Sequence, residues 1–381
     1  MTIAIICDVL GEANNGTTIA AMNLIRSLRE KGHTVRVVCA DPERSDWPDY
    51  YIVPRYNFGP FNRYVEKNGV APARVDQAVL EAAISDADII HVMLPFALGK
   101  AAARYAAGHG IPLTAGFHCQ AENVTNHLRL MNVRWISNET YRIFHRRLYR
   151  YCNCIHYPTQ FICDTYEAVV GPTPHRVISN GVSEEFVPGP SSRPPEYSGR
   201  YVVLFTGRYS IEKSHWVLID AVSRSRHRDD IQLVFAGAGP LEKVLRRYAA
   251  RKKIPMPVMR FYSRSELIDV IRFADLYVHP AEIEIESIAC LEAIACGKVP
   301  LIADSPRSAT RAFALSERNL FRHNDPKDLA EKLDWWLEHP EEVARCARDY
   351  LGYAQQFCFS SCMDQMEQML LETMEETGHG A

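Results

Sequence analysis

Two cations and two carboxylates in the second half of this chain are spaced to grip a phosphorylated sugar. Arg208 and Lys213 stand five residues apart, just beyond the apolar run Tyr201–Thr206, which reads as a strand. Ligands collect at the carboxyl ends of strands in a parallel sheet. A guanidinium fork and a mobile ammonium converging there suit a diphosphate. Two unrelated cations on a solvated turn would give the same pattern. Glu284 falls in the loop after the run Leu276–His279, and Glu292 lies inside the helix that follows. Free backbone N–H groups at that helix start, around Glu286–Ile288, favour phosphate, and a carboxylate on either side accepts hydrogen bonds from sugar hydroxyls. Glu292 sits among Ile288, Ala289, Leu291, Ala293 and Ile294, where an unpaired carboxylate is costly. A ligand diol or a nearby Arg or Lys would answer it. Glu282 and Glu286 read as ordinary loop carboxylates.

The first half offers weaker signals. Asn14-Asn15-Gly16-Thr17-Thr18 lies between the first strand and the first helix, and a lone glycine there is also what a simple turn needs. Among 14 histidines, His118 stands out because it ends the strand Leu113–Phe117; His33, His91 and His279 have lesser claims. Asp86-Ala87-Asp88 spells D-x-D but precedes a buried strand, so a helix-to-strand turn is its expected role. No metal site is expected. The eleven cysteines include no C-x-x-C pair and read as reduced thiols.

The elements that must position these residues follow from hydrophobic pattern. Ile3–Cys7, Thr34–Cys39, Ile89–Leu94, Leu113–Phe117 and Cys154–Tyr157 are short apolar runs separated by helical stretches, as in a doubly wound parallel sheet. Residues 180–200 are dense in Gly, Pro and Ser, which is linker composition. The alternation then restarts with Tyr201–Thr206, Ile231–Ala236, Val258–Tyr262, Leu276–His279 and Val299–Ala303 as strands. This predicts an α/β chain of two Rossmann-like domains, residues 1–180 and 181–359, with a ligand cleft between them. A Met-rich amphipathic helix from Ser360 to Glu376 is expected to pack back on the first domain, so that 360–381 belongs with it.

Composition excludes several classes. A chain of 381 residues with 47% apolar and 23% charged side chains is globular. Lys and Arg number 43 against 46 Asp and Glu, a net of −3, which argues against nucleic acid as a partner. The N-terminus lacks a basic leader, and the apolar runs are strand-sized, so neither a signal peptide nor a spanning helix is expected. No G-x-G-x-x-G follows the first strand, which disfavours a dinucleotide-dependent dehydrogenase.

Gly207-Arg208 with Lys213, the Glu284-x7-Glu292 spacing and the following Ala293–Pro300 resemble the family 4 retaining glycosyltransferases, whose E-x7-E motif leads into such a sequence. Asn180-Gly181-Val182 and Gly237-Ala238-Gly239-Pro240 are similar to that family's hinge and second loop. The resemblance implies the GT-B fold, with an acceptor-binding N-terminal domain and a nucleotide-sugar-binding C-terminal domain. It implies that Arg208 and Lys213 neutralise the donor's diphosphate leaving group, that Glu284 holds hexose hydroxyls and that Glu292 holds the ribose diol. The backbone at Ser287 and Ile288 would contact phosphate, and the loop reaching Tyr262 would meet the base. Gly16 and Thr17 would let the backbone approach the donor, and His118 would orient its sugar. Same-face attack, with the departing phosphate helping to take the acceptor's proton, needs no metal and no cofactor. One departure is that Ile285-Glu286-Ser287 stands where many members have Gly-Phe-Gly.

The strings around His118 and Glu284 look most like the branch of diacylglycerol glucosyltransferases and other glycolipid synthases. The expected reaction is transfer of glucose or galactose from a UDP-linked donor to a lipid. Alternatives are a capsule or exopolysaccharide glycosyltransferase and a nucleotide-sugar 2-epimerase. Tyr141, Phe144, Leu148 and Tyr151 form one helical stripe, with Arg142, Arg146, Arg147 and Arg150 beside it; between residues 126 and 151 six Arg face one Glu. Such a face would meet an anionic lipid surface, placing the protein in the cytoplasm against the inner face of the membrane. A core-packed helix with a solvated basic side is the alternative. The aromatic segment Tyr51–Tyr64 could line an acceptor site or pack beneath its own loop.

Overall fold

Unbroken runs of β-branched and aliphatic residues form strands that are covered on both faces. Ile3–Cys7 and Ile231–Phe235 have essentially no exposed surface except at Gln232. The computed structural model describes residues 1–8, 10, 16–57, 59, 73–126 and 133–378. It divides into two units, Met1–Asn180 with Ser361–Ala381, and Gly181–Ser360.

The first unit carries strands β1 (Thr2–Cys7), β2 (Thr34–Cys39), β3 (Tyr50–Ile52), β4 (Ile89–Val92), β5 (Leu113–Gly116), β6 (Cys154–Tyr157) and β7 (His175–Val177). Its helices are α1 (Gly16–Glu30), α2 (Gln77–Ile84), α3 (Ala97–His109), α4 (Ala121–Asn126), α5 (Arg134–Arg147) and α6 (Gln160–Val170). The sheet order is β3-β2-β1-β4-β5-β6-β7, all parallel. The second unit has β8 (Tyr201–Thr206), β9 (Ile231–Ala236), β10 (Val258–Arg260), β11 (Leu276–His279), β12 (Pro300–Asp304) and β13 (Leu320–Arg322), in the parallel order β10-β9-β8-β11-β12-β13. Helices α7 (His215–Val222), α8 (Glu242–Lys252), α9 (Arg264–Phe273), α10 (Ile288–Ala295), α11 (Pro326–Glu338) and α12 (Pro340–Ala354) connect or follow them. In both sheets the strand order reverses beside the first strand, between β1 and β4 and between β8 and β11. That is where loops from neighbouring strands splay apart and admit a ligand.

Local chemistry sets the helix ends. Ser263 and Glu266 form a reciprocal capping box at α9, and Gly110 ends α3 with φ 71°. The last helix, α13 (Phe359–Glu376), buries Met363, Met366, Met369 and Leu370. It is tied to the first unit by Lys31–Glu367 at 2.8 Å, His33–Glu367 at 2.6 Å and Arg176–Glu372 at 3.1 Å. His33 is therefore a docking residue.

Several boundaries differ from the sequence reading. β3, β7 and β13 are three-residue edge strands with too little apolar pattern to register as strands, and α11 and α12 were not anticipated. The expected strand Val258–Tyr262 stops at Arg260, and β5 stops at Gly116.

Candidate active site

Lys213 and Glu284 arrive on loops that follow β8 and β11, neighbours at the strand-order reversal of the second sheet. Their side chains form an ion pair. His279, at the end of β11 and with no exposed side-chain surface, lies with Nε2 2.9 Å from Glu284 Oε1. Its Nδ1 is 3.1 Å from the Tyr277 hydroxyl, and Nε2 is also 3.2 Å from Ser287 Oγ. A carboxylate only accepts, so Nε2 carries the proton and Tyr277 donates to Nδ1. Burial would raise the Glu284 carboxyl, but the Lys213 charge and the His279 hydrogen bond more than reverse this and hold it at about 2. Burial keeps His279 itself below its ordinary value, hence neutral, despite Glu284. The sequence reading gave His279 a lesser claim; its place at the end of a strand beside the reversal point was the signal.

Arg208 leaves β8 next to Gly207. The facing loop presses backbone against backbone: a Cβ on Gly237 would lie 2.1 Å from the Gly207 carbonyl oxygen, and one on Gly239 would lie 2.6 Å from both N and O of Tyr209. Tyr209 N donates to the Ala238 carbonyl at 3.0 Å. Glycine is required at 237 and 239 to hold the Arg208 loop in place. Arg208 is half-buried, and desolvation lowers its pKa against the opposing charge of Glu212.

The helices that follow these loops start alike. Ser214 before α7 (φ 50°) and Ser287 before α10 (φ 67°) both adopt the left-handed conformation, and neither side chain caps its helix. At α10 the first backbone N–H groups therefore receive no cap from the Ser287 side chain, an arrangement open to an anion. Ser287 carries the strain that glycine would avoid, and its hydroxyl is 3.2 Å from His279.

Glu292, in the middle of α10, is half-buried and has neither a hydrogen bond nor an ion pair from its side chain among the described residues. Burial pushes its carboxyl up to about 7, with Arg264 the cation that pulls it back. Glu282 and Glu286 are more buried than loop carboxylates usually are. Glu282 is answered by an ion pair with Arg307, so its role is structural. Tyr262 is 7% exposed with Arg260 over its ring at 4.1 Å, whereas its neighbour Phe261 is 64% exposed. Tyr262, Arg260, Tyr197 and Phe273 line a cavity of about 710 Å³ that includes none of Lys213, Glu284 or Glu292.

In the first unit Gly16 opens α1 with nothing within 4 Å of an added Cβ, so the fold itself does not demand glycine there. Asn14 and Asn15 lie outside the described residues. Thr17 Oγ1 is 3.4 Å from the His118 carbonyl oxygen, which links the two predicted residues. His118 follows β5 and is partly exposed; burial, then His156 and His91, pull it well below the usual imidazole value. His91 is buried against Thr114 at 2.9 Å. Asp86 pairs with Arg36, and Asp88 Oδ2 accepts from Thr2 N at 2.6 Å, so the D-x-D is a structural turn.

For the aromatic stripe beginning in α5 the structure selects the core-packed alternative over the exposed one. Tyr141, Phe144 and Leu148 are buried in the core and not offered to a membrane. Tyr141 packs against Phe117 and Tyr166, and Phe117 in turn meets Tyr149, Tyr157 and Tyr166. The basic side is exposed at Arg142, Arg146, Arg147 and Arg150, with Glu139 paired to Arg146 at 2.6 Å and Arg142 at 3.5 Å. Trp135, 71% exposed, is the aromatic that sequence reasoning missed. Of the aromatic segment Tyr51–Tyr64, residues 58 and 60–64 lie outside the described residues; Tyr51 is in β3 and Tyr56 is exposed. None of the eleven cysteines is in a disulfide. Cys163, Glu167 and His175 come together, but their polar atoms serve one another: His175 Nδ1 is 3.0 Å from Glu167 Oε1, and its Nε2 is 3.6 Å from Cys163 Sγ.

Two stability measurements check this geometry. Left-handed φ costs a non-glycine residue about 1–2 kcal/mol, and the His279 contact returns about 1 kcal/mol. Ser287→Ala keeps the strain and loses the contact, so it is expected to be less stable in urea than both wild type and Ser287→Gly; an Ala variant as stable as wild type contradicts this. Glu292 binds its proton more tightly when folded than its ordinary value of 4.5 allows. Its contribution to stability is therefore full below pH 4.5 and is lost as the pH rises through about 7. Glu292→Gln is expected to flatten the fall in ligand-free stability between about pH 5 and pH 8; an unchanged slope contradicts that.

Comparisons with known proteins agree with this architecture. The family model described as glycosyl transferases group 1 matches residues 191–350, and that described as Glycosyltransferase Family 4 matches residues 14–186. A GDP-mannose-dependent alpha-mannosyltransferase of Corynebacterium glutamicum is 27% identical over 380 residues, 92% of this chain and 84% of its own. The alpha-monoglucosyldiacylglycerol synthase of Acholeplasma laidlawii is 20% identical over 379 residues, 92% of this chain and 91% of its own. Among solved structures, Anabaena Alr3699/HepE in complex with UDP superposes with TM-score 0.73 at 16% identity, covering 97% of this chain and 99% of that one. That likeness gives the fold, two parallel-sheet domains of GT-B type. The two family models, one over each half of the chain, support a GT4-like glycosyltransferase.

Proposed function

We propose that this glycosyltransferase moves a hexose, glucose or galactose, from a UDP-linked donor to a lipid acceptor such as diacylglycerol, with retention at the anomeric carbon. The observation that carries the reading is the side-chain set at the reversal point of the second sheet. There, Lys213 pairs with the buried Glu284, and Arg208 stands on the same loop as Lys213. Helix α10 starts without a cap from the Ser287 side chain, and Glu292 one turn further along has no hydrogen bond or ion pair among the described residues. A diphosphate offers Lys213 and Arg208 the charge they can answer, and uncapped N–H groups at Ser287 and Ile288 add donors. Glu284 takes hexose hydroxyls, and Glu292 takes the ribose diol. His118, neutral, orients the sugar as a hydrogen-bond partner, and Gly16 and Thr17 let the backbone come close. Phe261, exposed beside the buried Tyr262, is the better-placed ring for the base. The reaction needs charge stabilisation of the leaving diphosphate more than a carboxylate nucleophile, and these residues supply it without a metal or cofactor.

The lipid acceptor is supported by the name of the Acholeplasma laidlawii relative and by the exposed Arg142, Arg146, Arg147, Arg150 and Trp135. An exposed basic face carrying one exposed aromatic suits attachment to the cytoplasmic surface of a membrane. No helix among the described residues is long and apolar enough to cross one. A second reading, mannose from a GDP-linked donor, is favoured by the name of the Corynebacterium glutamicum relative.

A transfer assay separates these readings. UDP-glucose, UDP-galactose and GDP-mannose are each offered with diacylglycerol, a sterol or a polyprenyl-linked glycan, and the product's anomeric configuration is read by NMR. UDP-hexose transfer to diacylglycerol with retained α configuration is expected. Transfer only from GDP-mannose, transfer only to the glycan, or conversion of the donor without any acceptor each overturns it. Arg208→Ala and Lys213→Ala are each expected to lower kcat by about 10²–10³-fold. Lys213→Ala also lowers the unfolding midpoint, because Glu284 is left buried without its cation. Full turnover in both variants contradicts the donor assignment.

A further inference from the structure

His118 lies over the one position in its strand that has no side chain. In parallel register, Gly116 of β5 pairs with His156 of β6, so both face the same side of the sheet. A Cβ built on Gly116 would sit 2.4 Å from Nε2 and 2.6 Å from Cδ2 of His118, far inside contact distance. The imidazole two residues on thus folds back into the space that a side chain at 116 would occupy.

The backbone cannot step aside to make room. Phe117, between the two, is fully buried among four tyrosine rings, with centroids 4.7 Å from Tyr166, 5.0 Å from Tyr149, 5.5 Å from Tyr157 and 6.1 Å from Tyr141. Phe117 N donates to the His156 carbonyl at 2.8 Å, and the Tyr149 hydroxyl donates to the Gly116 carbonyl at 3.3 Å. Thr17 holds the His118 carbonyl from the other side at 3.4 Å. With the 116–117 peptide unit held at both its N–H and its carbonyl and the 118–119 unit held at its carbonyl, an added methyl group displaces the movable partner, the His118 ring.

His156 forms one wall of this slot, its ring centroid 5.6 Å from that of His118 and inclined at 66°. Its Nε2 is 2.6 Å from the Ile178 carbonyl oxygen, which only accepts, so Nε2 carries a proton. Burial holds the ring's pKa down at about 4, so the wall is uncharged, with Nδ1 unprotonated. We propose that Gly116 is a positioning residue: its missing side chain is the slot that holds the His118 imidazole in its working orientation, and any Cβ there turns the ring away from the donor sugar. The proposal rests on the role given to His118 above.

A double-mutant cycle tests it on the full chain, with Gly116→Ala, His118→Ala and the double variant. In the presence of His118, Gly116→Ala is expected to lower kcat for transfer by about 10²-fold, the scale of a misplaced contact group. In the His118→Ala background, where the displaced ring is absent and the double variant folds without a clash, the same change is expected to alter kcat by less than about twofold. UDP affinity, measured without sugar, stays unchanged throughout, which a general loss of structure would not allow. Equal losses in both backgrounds, or full activity of Gly116→Ala, overturn the proposal. Should His118→Ala retain full turnover, the role of His118 falls, and the slot is read separately from the His118 imidazole NMR shifts: these must move in Gly116→Ala, and unmoved shifts overturn the slot as well.

Discussion

A lysine ammonium held against a buried carboxylate is the constraint on which the second half of the chain depends. Two charges taken out of water repay their desolvation only with close geometry and further hydrogen bonds, and breaking such a pair costs about 3–5 kcal/mol. Here the further bonds come from His279, itself oriented by Tyr277. A pair of well-packed apolar residues would stabilise the fold as well, so stability does not explain the ion pair. Its consequence is a cation kept in place and a carboxylate kept ionised where two neighbouring loops diverge. The strand order brings them together: Lys213 follows β8, Glu284 follows β11, and those strands are adjacent although 70 residues of chain separate the two side chains.

The first sheet uses the same reversal differently. Asp8 at the end of β1 is fully buried and spends both oxygens on the start of α3, accepting from Leu98 N at 2.9 Å and Gly99 N at 3.1 Å. Charge there locks one loop to one helix. The side chain left for chemistry, His118, is placed by shape: glycine beneath it, a tyrosine-lined anchor beside it, and a neutral histidine wall. Glycines serve both halves in the same physical way. At Gly237 and Gly239 they let backbone meet backbone behind Arg208, and at Gly116 they leave room for a ring.

Much of this was legible in the amino-acid sequence. The strands that build the two sheet centres are continuous apolar runs and could be read directly, as could the placement of Glu284 in a loop and Glu292 in a helix. The edge strands β3, β7 and β13 could not, because three half-exposed residues such as His175–Val177 carry almost no hydrophobic pattern. The α5 stripe left two readings open because a helix's apolar stripe looks the same whether it meets a membrane or a core. Only the tertiary neighbours Phe117, Tyr157 and Tyr166 decide, and they come from other parts of the chain. His279 and Gly116 were under-read for a related reason: each matters through what lies across the sheet. Register is not written in either residue's own neighbourhood.

The structure of the full chain bound to a nucleoside diphosphate-hexose addresses the donor site most directly. The diphosphate is expected within hydrogen-bonding distance of Lys213 Nζ and the Arg208 guanidinium, with the ribose hydroxyls on Glu292. A nucleotide seated instead in the cavity beside Arg260 and Tyr262, with Lys213 engaged only by Glu284, contradicts the assignment.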